Sequence, residues 1–194
     1  VGAEVHSHGL EFSERGRDTA VIFGDGAAAV VLSPTEDQGR GLLASAIHAD
    51  GRFARDLWLE APGCYSTPRV NLKDIEDGRH YPRMDGKKVF VNAIQKMPEV
   101  IGEVLAKTGH KIEDIDLFIA HQANLRICDA VAQRLGLPPE KMYNNIQYYG
   151  NTTAASIPLA LDECVRAGRV KKGDLLCFAA FGAGYTWGAA LLRW

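Results

Sequence analysis

Apolar residues recur at helical spacing in the second half of the chain. The segment Gly86–Thr108 is predicted to be an amphipathic helix, because its apolar positions are three or four residues apart: Phe90, Ile94, Met97, Ile101 and Leu105. Pro98 lies inside this segment and should kink the helix, since proline lacks a backbone donor. The same reasoning predicts helices over Gln122–Leu135 and Thr153–Ala167, each closed by a following glycine.

Short apolar runs bounded by turn residues predict the strands. In the second half these are Asp116–Ala120, Leu175–Phe181 and Thr186–Leu192, the last two joined by a Gly182–Tyr185 hairpin. In the first half, two strands, Thr19–Phe23 and Ala27–Leu32, are predicted on either side of a tight glycine turn. A third strand is predicted over Gly41–Ala49. Residues 50–84 show no sustained period and predict a long loop region. Alternating strands and helices indicate an α/β fold with a mixed sheet covered by helices.

Composition narrows the class of protein. The chain has 194 residues, 46% hydrophobic and 24% charged, as in an ordinary globular protein of one large domain. A net charge of −2 gives no reason to expect nucleic-acid binding. No apolar run approaches the roughly 20 residues needed to cross a bilayer, and no signal peptide opens the chain, so we expect no membrane partner and a cytoplasmic location. The chain starts at Val1 as if a strand were already under way, and we expect a piece of a longer polypeptide.

Two polar residues stand out as candidate chemistry. His121 follows an apolar run, and Asn151 follows Gly150 about thirty positions later, both at turns between elements. Either residue alone is more often structural, because asparagine suits turns and a strand-end histidine is common. Together with the glycine hairpin they lie at strand ends, where α/β sheets bind ligands. An imidazole and a carboxamide that converge on one oxygen would stabilise negative charge during acyl chemistry.

No cysteine of the chain has the setting of an activated nucleophile. A catalytic thiolate is favoured at a helix N-terminus or beside an imidazole. Cys128 and Cys164 fall within predicted helices and Cys177 within a strand, which leaves only the loop residue Cys64 worth testing. The four have no metal-type spacing, so we expect reduced thiols and no metal site.

The motifs around these residues resemble one enzyme family, β-ketoacyl-acyl carrier protein synthase III. The matching segments are His121–Ile127, Gly150–Pro158, Phe181–Gly188, Phe23–Ala27 and Met84–Phe90. The resemblance runs from Val1 to Trp194 and corresponds to the C-terminal part of the family's chain. It implies a thiolase-like fold of layered αβαβα architecture, in which residues 1–84 end the N-terminal half with its connecting loops and residues 85–194 form the C-terminal half that carries the His/Asn site.

The resemblance also implies the reaction and the site. A cysteine takes an acyl group from acyl-coenzyme A, and the acyl-enzyme condenses with malonyl-acyl carrier protein in a decarboxylative Claisen condensation that initiates fatty-acid synthesis. By position, His121 and Asn151 would donate to the enolate oxygen, and the Ala183 backbone N–H to the oxyanion of acylation. The nucleophilic cysteine is expected outside this stretch, so the 194 residues alone should not condense.

Substrate-binding positions are implied in the same way. Arg17 and Arg126 correspond to positions near the nucleotide or carrier protein, and Asn124 and Gly86 to positions along the pantetheine arm. Arg134 keeps a basic residue on the helix face expected to meet the acidic acyl carrier protein, although a solvated surface charge is an equally good interpretation. Phe181 would line the tunnel. The family implies a homodimer, with coenzyme A and phosphopantetheine thioesters as substrates and no bound cofactor.

Two alternatives remain open. A related thiolase-fold condensation, such as a quinolone synthase, a polyketide-starter synthase or a head-to-head acyl condenser, would share His121 and Asn151. A non-enzymatic half-domain would expose a large apolar face and should aggregate or need a second polypeptide, which a mass measurement in solution would reveal.

Overall fold

A four-stranded mixed sheet forms the centre of the molecule. The computed structural model describes residues 1–37 and 39–194. Their strands are β1 (Gly2–Glu4), β2 (Gly26–Ala28), β3 (Gly41–Ala49), β4 (Leu57–Trp58), β5 (Arg83–Met84), β6 (Leu117–Ala120), β7 (Leu175–Gly182) and β8 (Thr186–Arg193). The central sheet has the order β3-β8-β7-β6, with β6 parallel to β7 and the other neighbours antiparallel. The predicted mixed sheet and the β7–β8 hairpin are thereby confirmed.

Helices cover this sheet on both faces. They are α1 (Arg17–Ala20), α2 (Leu72–Glu76), α3 (Gly86–Thr108), α4 (Leu125–Leu135), α5 (Ile146–Tyr149) and α6 (Ser156–Arg166). The helix α3 has the predicted bounds and continues through Pro98 to Thr108. It packs with α4 against one face, and the core there includes Met97, Ile101, Val131 and Leu191, each almost completely inaccessible.

The opposite face is covered only in part. Leu117, Ile119 and Leu176 pack there against Ala160 and Cys164 of α6. Toward β3 this cover ends, and Ile47 of β3 is 82% exposed. An apolar stretch of sheet therefore faces solvent beside α6.

The prediction of a strand over Thr19–Phe23 was wrong. Arg17–Ala20 is a short helix, and only Phe23 takes part in a bridge, to Asn151. The strand predicted over Ala27–Leu32 is reduced to Gly26–Ala28, and it pairs with β1 instead of closing a tight hairpin. The carboxylate of Asp25, in the glycine turn, accepts hydrogen bonds from the Ser7 N–H and hydroxyl at 2.8 and 2.6 Å. Tertiary partners therefore override the local turn pattern.

Two helices begin later than predicted. The helix predicted from Gln122 begins at Leu125, because the Asn124 side-chain oxygen accepts from the Arg126 N–H at 2.9 Å and caps the helix there. Residues Thr153–Ala155 form a 3₁₀ turn before α6. Gly136 ends α4 in the left-handed region, with φ of +70°, as predicted.

The loop region 50–84 is largely irregular, with short elements that the sequence pattern did not indicate: a 3₁₀ helix over Gly51–Asp56, α2 and the β4–β5 pair. It is tied to the β7–β8 hairpin by reciprocal backbone bonds between Asp50 and Tyr185 at 2.8 Å. Strand β3 precedes this loop yet belongs to the same sheet as β6–β8. The proposed division of the chain at residue 84 remains a prediction.

Candidate active site

His121 follows the end of β6 and is half-buried. Its backbone N–H donates to the Ala179 carbonyl at 2.7 Å, which extends the β6–β7 ladder by one residue. Its Nδ1 lies 2.7 Å from the Ser156 hydroxyl at the start of α6. Burial lowers the pKa of His121 from 6.5 to about 4, so the imidazole is neutral at pH 7. Its Nε2 has no hydrogen-bond partner among residues 1–37 and 39–194.

Asn151 is held rigidly by its own backbone. Its N–H donates to the Ile22 carbonyl at 2.9 Å, and its carbonyl accepts from the Gly24 N–H at 3.0 Å. The side-chain oxygen accepts from the Thr153 N–H at 2.8 Å. Because the oxygen is occupied internally, the carboxamide NH₂ is the group left to donate to a substrate.

Gly24 permits this arrangement by its lack of a side chain. A Cβ placed on Gly24 would lie 1.9 Å from the Tyr149 carbonyl oxygen. Gly150 has φ of +69° and completes the close approach from the other side. The glycine turn around Gly24 therefore has a structural task, which is to let two backbones meet directly before Asn151.

A buried glutamine connects the histidine segment to the segment that leads to Asn151. The side-chain oxygen of Gln122 accepts from the N–H groups of Asn145 and Ile146 at 3.0 and 3.2 Å, and its NH₂ donates to the Ala120 carbonyl at 2.9 Å. Gln122 is 1% exposed, so water does not compete for these bonds. It fixes α5 against the end of β6.

His121 opens into a cavity of about 610 Å³ on the exposed side of the sheet. The walls are mostly apolar and include Ile47, Thr153, Ile157, Phe178, Phe181 and Ala183. Asn151 is not part of the lining, although Thr153, which it binds, is. His121 and Asn151 are thus held by Ser156 and Thr153, three positions apart on one continuous segment.

The glycine hairpin borders the same cavity. Ala183 is exposed at the turn, and its carbonyl accepts from the Thr186 hydroxyl at 2.9 Å. Phe181 is 6% exposed and packs against Tyr185, with ring centroids 4.8 Å apart. Both residues therefore border the space that His121 faces.

Of the six predicted substrate-binding positions, Phe181 lines this cavity and the other five do not. Arg17 is exposed at the first position of α1, and Gly86 begins α3. Asn124 caps α4, and Arg126 is exposed in the first turn of that helix. Arg134, also exposed, donates to the Ile94 carbonyl at 3.3 Å and so bridges α4 to α3. Their roles remain predictions.

Three of the four cysteines are poor nucleophiles. Burial raises the pKa of Cys128 and of Cys177 to about 12, and that of Cys164 to about 11. Cys64 is exposed, but it does not line the cavity that contains His121. All four are free thiols.

Sequence reasoning missed the residues that support the site. Ser156, Gln122 and Thr153 lie beside the two candidate side chains, and Thr153 has φ of +42°, which is rare outside glycine. The sequence could have indicated Gln122 and Ser156 only by their membership of the same motifs as His121 and Asn151. Hydrogen bonds over such sequence separations require the fold to be known.

Comparison with known proteins identifies the family. The model for the C-terminal part of 3-oxoacyl-(acyl-carrier-protein) synthase III matches residues 105–194, and a second model for the same synthase matches residues 1–51. The chain belongs to the synthase III family. A β-ketoacyl-(acyl-carrier-protein) synthase III of Microcystis aeruginosa is 45% identical over 198 residues, which cover 100% of this chain and 57% of that protein. The chain spans a little over half the length of the curated relatives it matches.

Solved structures agree with the family and establish the thiolase-like fold. The crystal structure of 3-oxoacyl-(acyl-carrier-protein) synthase III from Aquifex aeolicus has a TM-score of 0.86 at 44% identity and covers 99% of this chain and 56% of that one. The priming β-ketosynthase of the R1128 polyketide pathway has a TM-score of 0.77 at 30% identity, over 98% and 55% of the two chains.

Within residues 1–37 and 39–194, no helix combines the length and apolar character that crossing a bilayer requires. The same residues contain no cluster of three or more histidine, cysteine or acidic side chains suited to a metal ion.

Proposed function

We propose that the protein carrying this chain catalyses a decarboxylative Claisen condensation that initiates fatty-acid synthesis. In this reaction the C–C bond to the malonyl carboxylate breaks and CO₂ leaves. The electron pair becomes a thioester enolate, whose carbon attacks an acyl thioester on a cysteine and expels the thiolate. His121 and Asn151 stabilise the enolate oxygen by donating to it jointly.

The observation that carries this proposal is the pair of available donors. His121 is neutral and its Nε2 is unoccupied by the described residues, while the Asn151 oxygen is engaged by Thr153 and leaves the NH₂ group to donate. Preorganised donors in a site with little water stabilise developing charge most strongly. A neutral imidazole also avoids a strong ground-state ion pair with the malonyl carboxylate, so its effect is concentrated on the enolate.

The acyl-bearing cysteine, in this proposal, is supplied by residues other than these 194. Thiols with pKa values of about 11 to 12 are almost entirely protonated at pH 7, so Cys128, Cys164 and Cys177 do not attack a thioester. Cys64 does not line the cavity that contains His121. The 194-residue chain alone should therefore neither bind an acyl group covalently nor condense.

Decarboxylation tests the roles of His121 and Asn151 directly. Release of CO₂ from carboxyl-labelled malonyl-acyl carrier protein should fall about 10²–10³-fold in His121→Ala and in Asn151→Ala of the full-length protein, because each removes one donor to the enolate oxygen. His48→Ala is the matched control, since His48 is exposed on β3 and paired with Glu103. Undiminished CO₂ release in both site variants would reject the assigned roles.

A polyketide-starter synthase is the second candidate, favoured by the structural likeness to the R1128 priming β-ketosynthase. Both candidates share the enolate chemistry and differ in the thioesters they accept. Assaying the full-length protein with malonyl-acyl carrier protein against malonyl-coenzyme A, over a range of acyl-coenzyme A starters, discriminates between them.

The proposed partners follow from the same reaction. Acyl-coenzyme A and malonyl-acyl carrier protein both present a phosphopantetheine arm, for which Gly86, Asn124, Arg17 and Arg126 are the proposed contacts. Arg134 is proposed to meet the acidic carrier protein, and binding by such charges should weaken as salt is added. We also propose that the protein works as a homodimer in the cytoplasm.

A further inference from the structure

The Ser156 hydroxyl contacts Nδ1, one of the two ring nitrogens of His121. Its oxygen lies 2.7 Å from Nδ1 and also 3.3 Å from the Gln122 N–H, which can only donate. Ser156 is 2% exposed and Gln122 is 1% exposed. The local network is therefore closed to water, and each of its hydrogens must find its acceptor within the protein.

Counting these hydrogens decides the direction of the bond to His121. A serine hydroxyl has one hydrogen to donate, and its oxygen can accept the Gln122 N–H. Among residues 1–37 and 39–194, Nδ1 is the only acceptor within hydrogen-bond distance of that hydroxyl. If Nδ1 carried the hydrogen instead, the hydroxyl would accept two N–H groups and its own hydrogen would have no acceptor. A buried polar hydrogen without an acceptor is disfavoured.

The same count determines what His121 presents to the cavity. Burial keeps the ring neutral, so exactly one of its two nitrogens carries hydrogen at pH 7. When Nδ1 accepts from Ser156, that hydrogen is on Nε2, the nitrogen left without a partner among the described residues. The opposite tautomer would aim a lone pair at an enolate oxygen, which repels it.

We infer that Ser156 is a positioning residue that holds His121 in the Nε2–H tautomer. The inference rests on the proposed function for its importance to catalysis, since the enolate oxygen needs a donor at Nε2. The tautomer itself exists without substrate, so it can be measured whether or not the condensation assay succeeds.

Nitrogen NMR of the full-length protein labelled with ¹⁵N-histidine tests the inference. We expect the His121 signals, assigned by their loss in His121→Ala, to show a hydrogen-bearing Nε2 and a bare Nδ1 at pH 7. In Ser156→Ala this preference should fall to a mixture of the two tautomers. Ser156→Thr, which keeps a hydroxyl, should restore it. Thr152→Val removes a hydroxyl from the same buried segment that makes no hydrogen bond to His121, and should leave the spectrum unchanged.

Each result bears on the inference. A wild-type spectrum with hydrogen on Nδ1 overturns it, as does a Ser156→Ala spectrum with the wild-type tautomer fully retained. If Ser156→Ala fails to fold, Ser156→Cys replaces it, and its weaker S–H donor should lower the Nε2–H fraction. Decarboxylation by Ser156→Ala should drop by less than in His121→Ala, since the second tautomer still presents Nε2–H part of the time. Normal decarboxylation in both His121→Ala and Asn151→Ala would instead refute the proposed function and leave the spectral result standing.

Discussion

Desolvation and hydrogen bonding both determine the chemical state of the two candidate side chains, His121 and Asn151. His121 is an imidazole kept neutral because its surroundings disfavour the charged form, and among residues 1–37 and 39–194 no acidic side chain offsets this effect. Asn151 uses its oxygen internally and keeps its donor free. The two side chains reach the same chemical result, a neutral donor, by different means.

Desolvation of His121 predicts a pH dependence of stability. The pKa of His121 is about 4 in the folded chain against 6.5 when unfolded, so protons bind the unfolded chain first. The stabilising contribution is complete above pH 6.5 and is lost as the pH falls from 6.5 toward 4. Between pH 7.5 and 5 this single group should lower the free energy of unfolding by about 2 kcal/mol.

Urea unfolding at these two pH values checks the prediction. His121→Gln removes the titrating ring, so the loss of stability between pH 7.5 and 5 should be smaller than in the wild type by that amount. All other groups are common to the two proteins, so their contributions cancel in the comparison. An identical pH dependence in the two proteins would mean that His121 is not desolvated as described.

At the scale of elements, Asn151 is positioned by a backbone contact between segments far apart in the chain. The Phe23–Asn151 bridge and the bonds around Gly24 place the segment before β2 directly against the turn after α5. Any side chain at Gly24 would meet the Tyr149 carbonyl. The glycine motif therefore acts on the site through Asn151.

Replacing this glycine should damage both stability and activity. In Gly24→Ala the new methyl group overlaps the Tyr149 carbonyl, and the backbone before Asn151 must move. We expect a loss of about 2–3 kcal/mol in unfolding free energy, and about 10²-fold slower decarboxylation from a displacement near 1 Å. Gly102→Ala is the control, because a Cβ there meets nothing within 4 Å and favours the helix. If the two variants had the same unfolding free energy and the same decarboxylation rate, Gly24 would not be needed to position Asn151.

The elements also show which features the sequence could predict. The bounds of α3 and β3 follow from periodicity and strand composition, because α3 buries residues at helical spacing and β3 pairs with β8 from Gly41 to Ala49. Thr19–Phe23 has the composition of a strand, but within it only Phe23 forms a bridge. The strand predicted there from composition was therefore wrong. His121 and Asn151 were recognisable as motif residues, whereas the hydrogen bonds of Ser156 and Gln122 join segments about 20 to 35 positions apart and leave no local pattern.

At the scale of the whole molecule, the sheet is unevenly covered. The helices α3 and α4 bury one face, while the other is covered by α6 near β6 and is open at Ile47. The cavity beside His121 lies on this open side. We propose that the cysteine of the condensation approaches His121 from this side.

The acyl group of the proposed reaction should be carried by none of the four thiols of this chain. If the nucleophile is none of the four thiols described, Cys64→Ser in the full-length protein should take up acyl groups from acyl-coenzyme A as fully as the wild type. Intact mass measures this uptake as a covalent acyl adduct, and Cys128, Cys164 and Cys177 should carry none because their protonated thiols are enclosed. The 194-residue chain produced alone should show no adduct. Loss of the adduct in Cys64→Ser would contradict this prediction and identify Cys64 as the nucleophile.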